Sequence, residues 1–265
     1  MPLSDVVLAS SPAALVTALE GIADLAVVGV DVERADWNRY YRTAALIQVG
    51  GQGRVVVVDP LALDDLSALD DFLRDRVAVF HALENDLEPL AAAGVRPGRV
   101  EDTAVAAALL GLPTGLETLL AAVLGITLAG DKQAMQRSDW EARPLTGAMV
   151  EYAAGDVADL PALWAQLYDR LAAQGREEWY RQALAALLAQ PSVEERREWT
   201  RTKGAGHLDP AARGRLRTLW ETREALARET DTAPGRIAGD AVLVDLATRP
   251  LARRSELGRR GVRRQ

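Results

Sequence analysis

The sequence predicts a mixed α/β domain followed by a small all-α module. Valine-rich stretches in the first 60 residues alternate at period two around a glycine-rich turn, which is typical of antiparallel strands. Further strand candidates then alternate with helical patterns, which favours helices packed on a mixed sheet. Beyond residue 175 the chain is more charged and has no strand candidates, which predicts a separate helical part.

The composition limits the class of protein. The 265 residues are 49% hydrophobic and 26% charged, as in ordinary globular proteins. We expect a cytoplasmic protein without a membrane segment, because no apolar run reaches about 20 residues and no signal peptide is evident. The absence of cysteine fits that location. The net charge of −7 argues against indiscriminate binding of polyanions, and the missing G-x-S-x-G and Walker motifs remove support for serine hydrolases and P-loop enzymes.

The first organising element is the predicted strand Ala26–Glu33. Its valines point to one face, so Asp31 and Glu33 lie together on the other. Two neighbouring carboxylates repel each other, and a hard divalent cation such as Mg²⁺ would neutralise them. With no cysteine and two histidines, any metal site must consist mainly of carboxylates. A D-x-E pair alone is also compatible with a solvated strand end.

The next elements continue the sheet. Strands over 45–49 and 54–59 flank the turn 50–53, which predicts an antiparallel hairpin. A short buried strand over 77–80 ends at His81, and a helix begins at Asn85 or Asp86. Asp86 is either a functional carboxylate or only a helix cap.

The late part of the α/β domain adds another acid. Residues 127–143 form a polar connector of a length that is usual for functional or disordered segments. The helix after Thr146 carries Tyr152 and Asp156 one turn apart, and Asp156 lies in an otherwise apolar, inward-facing row. Pro161 should kink or restart this helix.

The predicted domains are 1–175 (α/β), 176–205 (helical linker) and 206–265 (helical module). The segment 249–265 contains seven arginines against one acid, and it is either a solvated end or a nucleic-acid contact.

Taken together, these motifs resemble the DEDD superfamily of 3′→5′ exonucleases in its tyrosine subclass, and within it ribonuclease D. Several motifs occur in the order of that family: Asp31-x-Glu33, Leu46-Ile47-Gln48, Val58-Asp59-Pro60-Leu61, His81-Ala82-x-x-x-Asp86, Glu101-Asp102-Thr103, Lys132 before Ser138-Asp139-Trp140, Arg143-Pro144-Leu145 and Tyr152-x-x-x-Asp156. Residues 208–246 are similar to the HRDC domain, an auxiliary nucleic-acid-binding module, which looks incomplete at its C-terminus here.

The resemblance implies a ribonuclease-H-like fold and a two-metal site using Mg²⁺ or Mn²⁺. By family analogy, Asp31 contacts both ions, Glu33 and Asp156 hold the one that activates water, and Asp86 holds the other. Tyr152 would orient the attacking water, because a phenol with a pKa near 10 is a poor base at neutral pH. Weaker candidates for substrate contacts or for bracing the third motif are Gln48, His81, Lys132, Trp140 and Arg143. For His81 a structural role is preferred.

The implied function is 3′→5′ trimming of RNA with a free 3′ end, such as tRNA precursors and other stable RNAs, with release of 5′-monophosphates. We expect the protein to be a monomer. Two alternatives remain open. One is a DNA 3′→5′ exonuclease of the same superfamily, since the sugar preference depends on contacts to the 2′-OH. The other is a catalytically silent RNA-binding protein. Intact Asp31, Glu33, Asp86, Tyr152 and Asp156 argue against the silent form.

Overall fold

The computed structural model describes residues 5–35, 38–128, 135, 138–191, 197–251, 253 and 258–260. Contacts divide the chain into two compact units. The first comprises residues 1–35 and 43–190, and the second comprises 36–42 and 191–265. In the described part of the chain no helix is both long enough and apolar enough to cross a membrane. Lys132 and most of the predicted arginine-rich segment lie outside the described residues.

The first unit is built on one six-stranded sheet in the order β1-β4-β3-β2-β5-β6. Strand β3 pairs with β2 and with β4, in both cases antiparallel. The other three pairs are parallel: β1 with β4, β2 with β5, and β5 with β6. The mixed sheet flanked by helices confirms the predicted fold class. The strands are β1 (Asp5–Ala9), β2 (Val27–Arg34), β3 (Ala44–Gly51), β4 (Arg54–Val58), β5 (Val77–Phe80) and β6 (Arg99–Asp102).

The predicted hairpin is confirmed: β3 and β4 pair across a turn in which Gln52 and Gly53 both have positive φ, as a tight hairpin turn requires. The described residues of the first unit also form eight α-helices. They are α1 (Pro12–Glu20), α2 (Ser67–Arg74), α3 (Leu87–Ala92), α4 (Thr103–Leu110), α5 (Leu116–Leu124), α6 (Gly147–Ala158), α7 (Leu160–Ala173) and α8 (Glu177–Leu188). As expected at Pro161, α6 ends and α7 begins, with the proline in its first turn.

The core of the first unit lies between the sheet and its helices. The valines of β2 that face away from the carboxylates are buried, and β3 is buried along its whole length. Helix α6 packs against β2, β3 and β4. Helix α6 therefore covers the sheet at the strand that carries Asp31 and Glu33.

The second unit is helical, with α9 (Pro210–Glu229), α10 (Pro234–Ile237) and α11 (Asp240–Thr248). Part of its core comes from the segment between β2 and β3. The Tyr40 ring is buried with Ala227 and Ile237, and the backbone N–H groups of Tyr40 and Tyr41 both donate to Asp231 Oδ1 at 3.1 Å. The predicted three-part division of the sequence did not anticipate that this segment joins the helical unit.

Candidate active site

Three carboxylates from two elements meet at one place on the sheet. Asp31 and Glu33 project from β2, and Asp156 projects from α6. Each offers one oxygen, and these oxygens all lie within 4.8 Å of one another. All three residues are partly buried. Oxygen ligands at this separation suit a hard divalent cation, so the residues present fit a magnesium or manganese site.

The close approach of α6 to β2 depends on a glycine. Gly29 lies two residues before Asp31, so it faces the same side of the sheet. A Cβ atom at Gly29 would lie 2.3 Å from the carbonyl oxygen of Val157 and 3.0 Å from Cβ of Leu160. Only a glycine therefore lets the helix lie close enough to place Asp156 beside the strand carboxylates.

The pKa of Glu33 is raised at this site, in part because like charges are clustered around it. Burial raises its pKa most, and the neighbouring charges of Asp31 and Asp156 raise it further, to about 9. Arg34 opposes this shift. Without a cation, Glu33 is consequently protonated at neutral pH, and a divalent ion has to displace that proton.

Asp86 lies close to this cluster but is not one of the three clustered carboxylates. It is 4% exposed. Burial, and next the charge of Asp31, raise its pKa well above the ordinary range. The alternative that Asp86 is a helix cap loses support, because it stands at the N-terminus of α3 without a side-chain capping hydrogen bond.

The segment that carries Asp86 is fastened by Asp102 at the end of β6. The buried Asp102 carboxylate accepts from the backbone N–H of Leu83 at 2.8 Å and also caps α4. Its own N–H donates to the Tyr180 hydroxyl, which in turn donates to Glu101. Asp102 thus joins the turn before Asp86 to the sheet.

Tyr152 lies beside Asp156 and Trp140. Burial raises the pKa of its phenol, and the negative charge of Asp156 and a hydrogen bond to that residue raise it further. The phenol therefore stays protonated at neutral pH and can donate a hydrogen bond, but it cannot accept a proton as a base. The Trp140 and Tyr152 rings lie 6.2 Å apart.

Arg143 fixes the connector that precedes α6. Its guanidinium makes two hydrogen bonds to the Asp59 carboxylate, at 2.6 and 2.7 Å. It also donates to the backbone carbonyl oxygens of Ala45, Trp140 and Ala142. These contacts favour the bracing role among the two roles expected for this residue.

His81 is held by the protein through both ring nitrogens. Nε2 donates to the carbonyl oxygen of Thr114 at 2.9 Å, and Nδ1 lies 2.8 Å from the Thr103 hydroxyl. This arrangement favours the structural role that the sequence suggested. Gln48, another weaker candidate, is completely buried.

Comparison with known proteins agrees with this geometry. A protein-family model described as 3′-5′ exonuclease matches residues 6–172, more than half of the chain. The chain belongs to the 3′-5′ exonuclease family. A second model, described as HRDC domain, matches residues 212–264. The resemblance inferred from the motifs is confirmed.

The chain is similar to ribonuclease D of Sphingobium indicum, with 33% identity over 247 residues. That alignment covers 90% of this chain and 63% of the relative, so the chain spans less than two thirds of its length. The crystal structure of Escherichia coli RNase D, described as an exoribonuclease involved in structured RNA processing, matches with a TM-score of 0.78 and 28% identity, covering 97% of this chain and 69% of that one.

A solved structure of Brucella melitensis NrnC with bound Mg²⁺ is also similar to this exonuclease-family chain. It matches with a TM-score of 0.58 and 26% identity over 79% of this chain and 98% of that one. This neighbour and the clustered carboxylates both point to the use of a divalent metal.

Two residues at the site had no role in the sequence-based account. The positive charge of Arg34 acts to lower the pKa of both Glu33 and Asp86. Strict alternation would turn it away from Glu33, but the strand pairing shifts register between these two residues, and such irregularities re-aim side chains. Asp102 was part of a quoted motif, but only the fold shows that it holds the turn before Asp86.

Proposed function

We propose that this chain is a metal-dependent 3′→5′ exoribonuclease that trims RNA 3′ ends and releases nucleoside 5′-monophosphates. The single observation that carries the proposal is the meeting of Asp31, Glu33 and Asp156 within 4.8 Å in a chain of the 3′-5′ exonuclease family. The expected substrates are tRNA precursors and other stable RNAs with a free 3′ end. The RNase D relatives support RNA rather than DNA as the polymer.

The residues would divide two divalent ions, Mg²⁺ or Mn²⁺, between them. Asp31 would contact both, Glu33 and Asp156 would hold one, and Asp86 would hold the other mainly through water. Two such ions about 4 Å apart stabilise the attacking and the leaving oxygen of an in-line phosphoryl displacement. Four carboxylates balance the charge of two divalent ions, which offsets the burial and the mutual repulsion that together raise the pKa of Glu33 and Asp86.

Other residues around these carboxylates would orient the attacking water or hold the neighbouring segments in place. Tyr152 would position the attacking water through its protonated hydroxyl, since its pKa is raised. Trp140 is 4% exposed and packs beside that ring. Arg143 would keep the connector before α6 in place through Asp59.

The remaining proposals concern partners and organisation. We propose that the HRDC-like part, predicted over 206–265, helps to hold RNA, that the protein works as a cytoplasmic monomer, and that 1–175 forms the exonuclease domain. Residues 212–264 match the HRDC family model, which supports the first of these.

The test uses matched single-stranded RNA and DNA oligomers, labelled at the 5′ end, with Mg²⁺, with Mn²⁺ and with EDTA. We expect a metal-dependent ladder that shortens from the 3′ end of the RNA and is lost in Asp31→Asn. The exposed Asp64→Asn serves as a matched control and should leave the ladder unchanged. Clear preference for DNA would establish the DNA exonuclease instead. Intact RNA with both metals, together with RNA binding, would establish the silent binding protein.

A further inference from the structure

The side chain of Gln48 stands out in the middle of the sheet. It is 0% exposed, and neither its amide oxygen nor its amide nitrogen has a hydrogen-bond partner among the described residues. A buried amide without partners lowers the stability of the folded state, a loss that an apolar side chain of the same size would avoid. A polar side chain at this position therefore needs a reason other than the stability of the core.

The position of Gln48 supplies that reason. On β3 it pairs directly with Asp31 on β2. Opposite residues of an antiparallel pair project to the same face with their Cβ atoms about 5 Å apart. The amide of Gln48 is thus next to the carboxylate that the proposed function assigns to both metal ions, and complete burial leaves it no surface for a nucleotide.

We propose that Gln48 is a positioning residue for Asp31. Its amide N–H donates a hydrogen bond to the Asp31 carboxylate when that carboxylate is in its metal-holding orientation. An amide suits this task because it donates a hydrogen bond without adding charge to a cluster that already contains several acids. Partners of metal ligands commonly fix ligand orientation in this way, and their loss weakens metal binding 10- to 100-fold as an order of magnitude.

This inference rests on the proposed function, because it assumes that Asp31 holds metal. Its test therefore separates metal binding from activity. Gln48→Met keeps the size and removes the amide. The matched control is Leu46→Met on the same strand, which is equally buried and pairs with Glu33 instead of Asp31.

We expect the metal-free Gln48→Met variant to melt at the same temperature as the wild type or higher, since an unpartnered amide has been removed. Its Mn²⁺ dissociation constant, measured by calorimetry, should rise about 10- to 100-fold, whereas Leu46→Met should bind within about threefold of wild type. The opposite pattern, a lower metal-free melting temperature with unchanged Mn²⁺ affinity, would overturn the inference and assign Gln48 to the core.

A second variant covers the case in which Gln48→Met does not fold. Gln48→Glu has nearly the same shape and adds a carboxylate beside Asp31. When ionised, this carboxylate cannot donate the amide hydrogen bond, so Mn²⁺ should bind at least about tenfold more weakly than to the wild type; unchanged Mn²⁺ affinity would contradict the proposal. If the wild type itself binds no Mn²⁺, the proposed function fails and this inference fails with it.

Discussion

The substitution Gly29→Ala tests how the site is assembled. The added Cβ atom would lie 2.3 Å from the Val157 carbonyl oxygen, where an ordinary contact is at least 3.4 Å. It would also lie 3.0 Å from Cβ of Leu160. Because these neighbours are a backbone atom and a Cβ atom, no flexible side chain can move aside. The helix that carries Asp156 therefore has to retreat from the strand that carries Asp31 by about 1 Å.

That displacement should weaken metal binding more than it destabilises the fold. Catalytic and metal-holding groups need to be placed within about 0.5 Å, and a misplacement of about 1 Å costs on the order of 100-fold in rate. Overpacking of the core costs about 1–3 kcal/mol. We expect Gly29→Ala to fold, to lose about 1–3 kcal/mol in urea unfolding, and to bind Mn²⁺ at least tenfold more weakly by calorimetry.

Gly147→Ala is the matched control, because Gly147 begins the same helix and an added Cβ meets nothing within 4 Å. It should bind Mn²⁺ like the wild type. If Gly29→Ala binds Mn²⁺ and degrades RNA like the wild type, the close approach of α6 to β2 does not position Asp156, and the steric argument is wrong.

Three further predictions concern single residues. Ala82 has a left-handed backbone (φ 63°), so Ala82→Gly should stabilise the protein by up to about 1 kcal/mol in urea unfolding; a loss of stability would contradict the strain. Because the pKa of Glu33 is raised from 4.5 to about 9, the folded metal-free protein holds a proton that the unfolded chain releases, so this group lowers stability by about 1.4 kcal/mol per pH unit between about pH 5 and 8. Unfolding in EDTA at several pH values should show at least this slope, and Glu33→Gln should remove the share of Glu33 and leave that of Asp86, whose pKa is also raised; an equal slope in both proteins would refute the assignment. Asp102→Asn should lower the free energy of unfolding by about 1–3 kcal/mol, because it weakens the hydrogen bond from the Leu83 N–H. It should also weaken Mn²⁺ binding, since that bond holds the turn before Asp86; unchanged Mn²⁺ binding would mean that Asp102 serves only as a helix cap.

Much of the fold follows from local patterns in the sequence. The alternation over 26–33 and the glycine-rich turn at 50–53 predicted strands β2, β3 and β4 and their antiparallel pairing, because both signals are short-range. Strand β1 was missed, since Asp5–Ala9 is short and has exposed valine and leucine side chains. Its parallel pairing with β4 is a long-range contact that no local pattern reveals.

The site was predictable where the chain is regular. Period two on a strand put Asp31 and Glu33 together, and the inward row of a helix identified Asp156. Irregular backbone concealed the rest: the register shift beside Arg34 and the left-handed turn at Ala82 are set by tertiary packing. For the same reason, no sequence pattern indicated that the segment containing Tyr40 joins the helical unit.

The most direct test of the whole account is digestion of a 5′-labelled RNA and a 3′-extended tRNA, with Mg²⁺ and with EDTA, by the wild type and Asp156→Asn. We expect metal-dependent products that shorten one nucleotide at a time from the 3′ end, release of 5′-monophosphates, and loss of both in the variant. Cleavage that persists in EDTA or in Asp156→Asn would contradict it, as would products that shorten from the 5′ end.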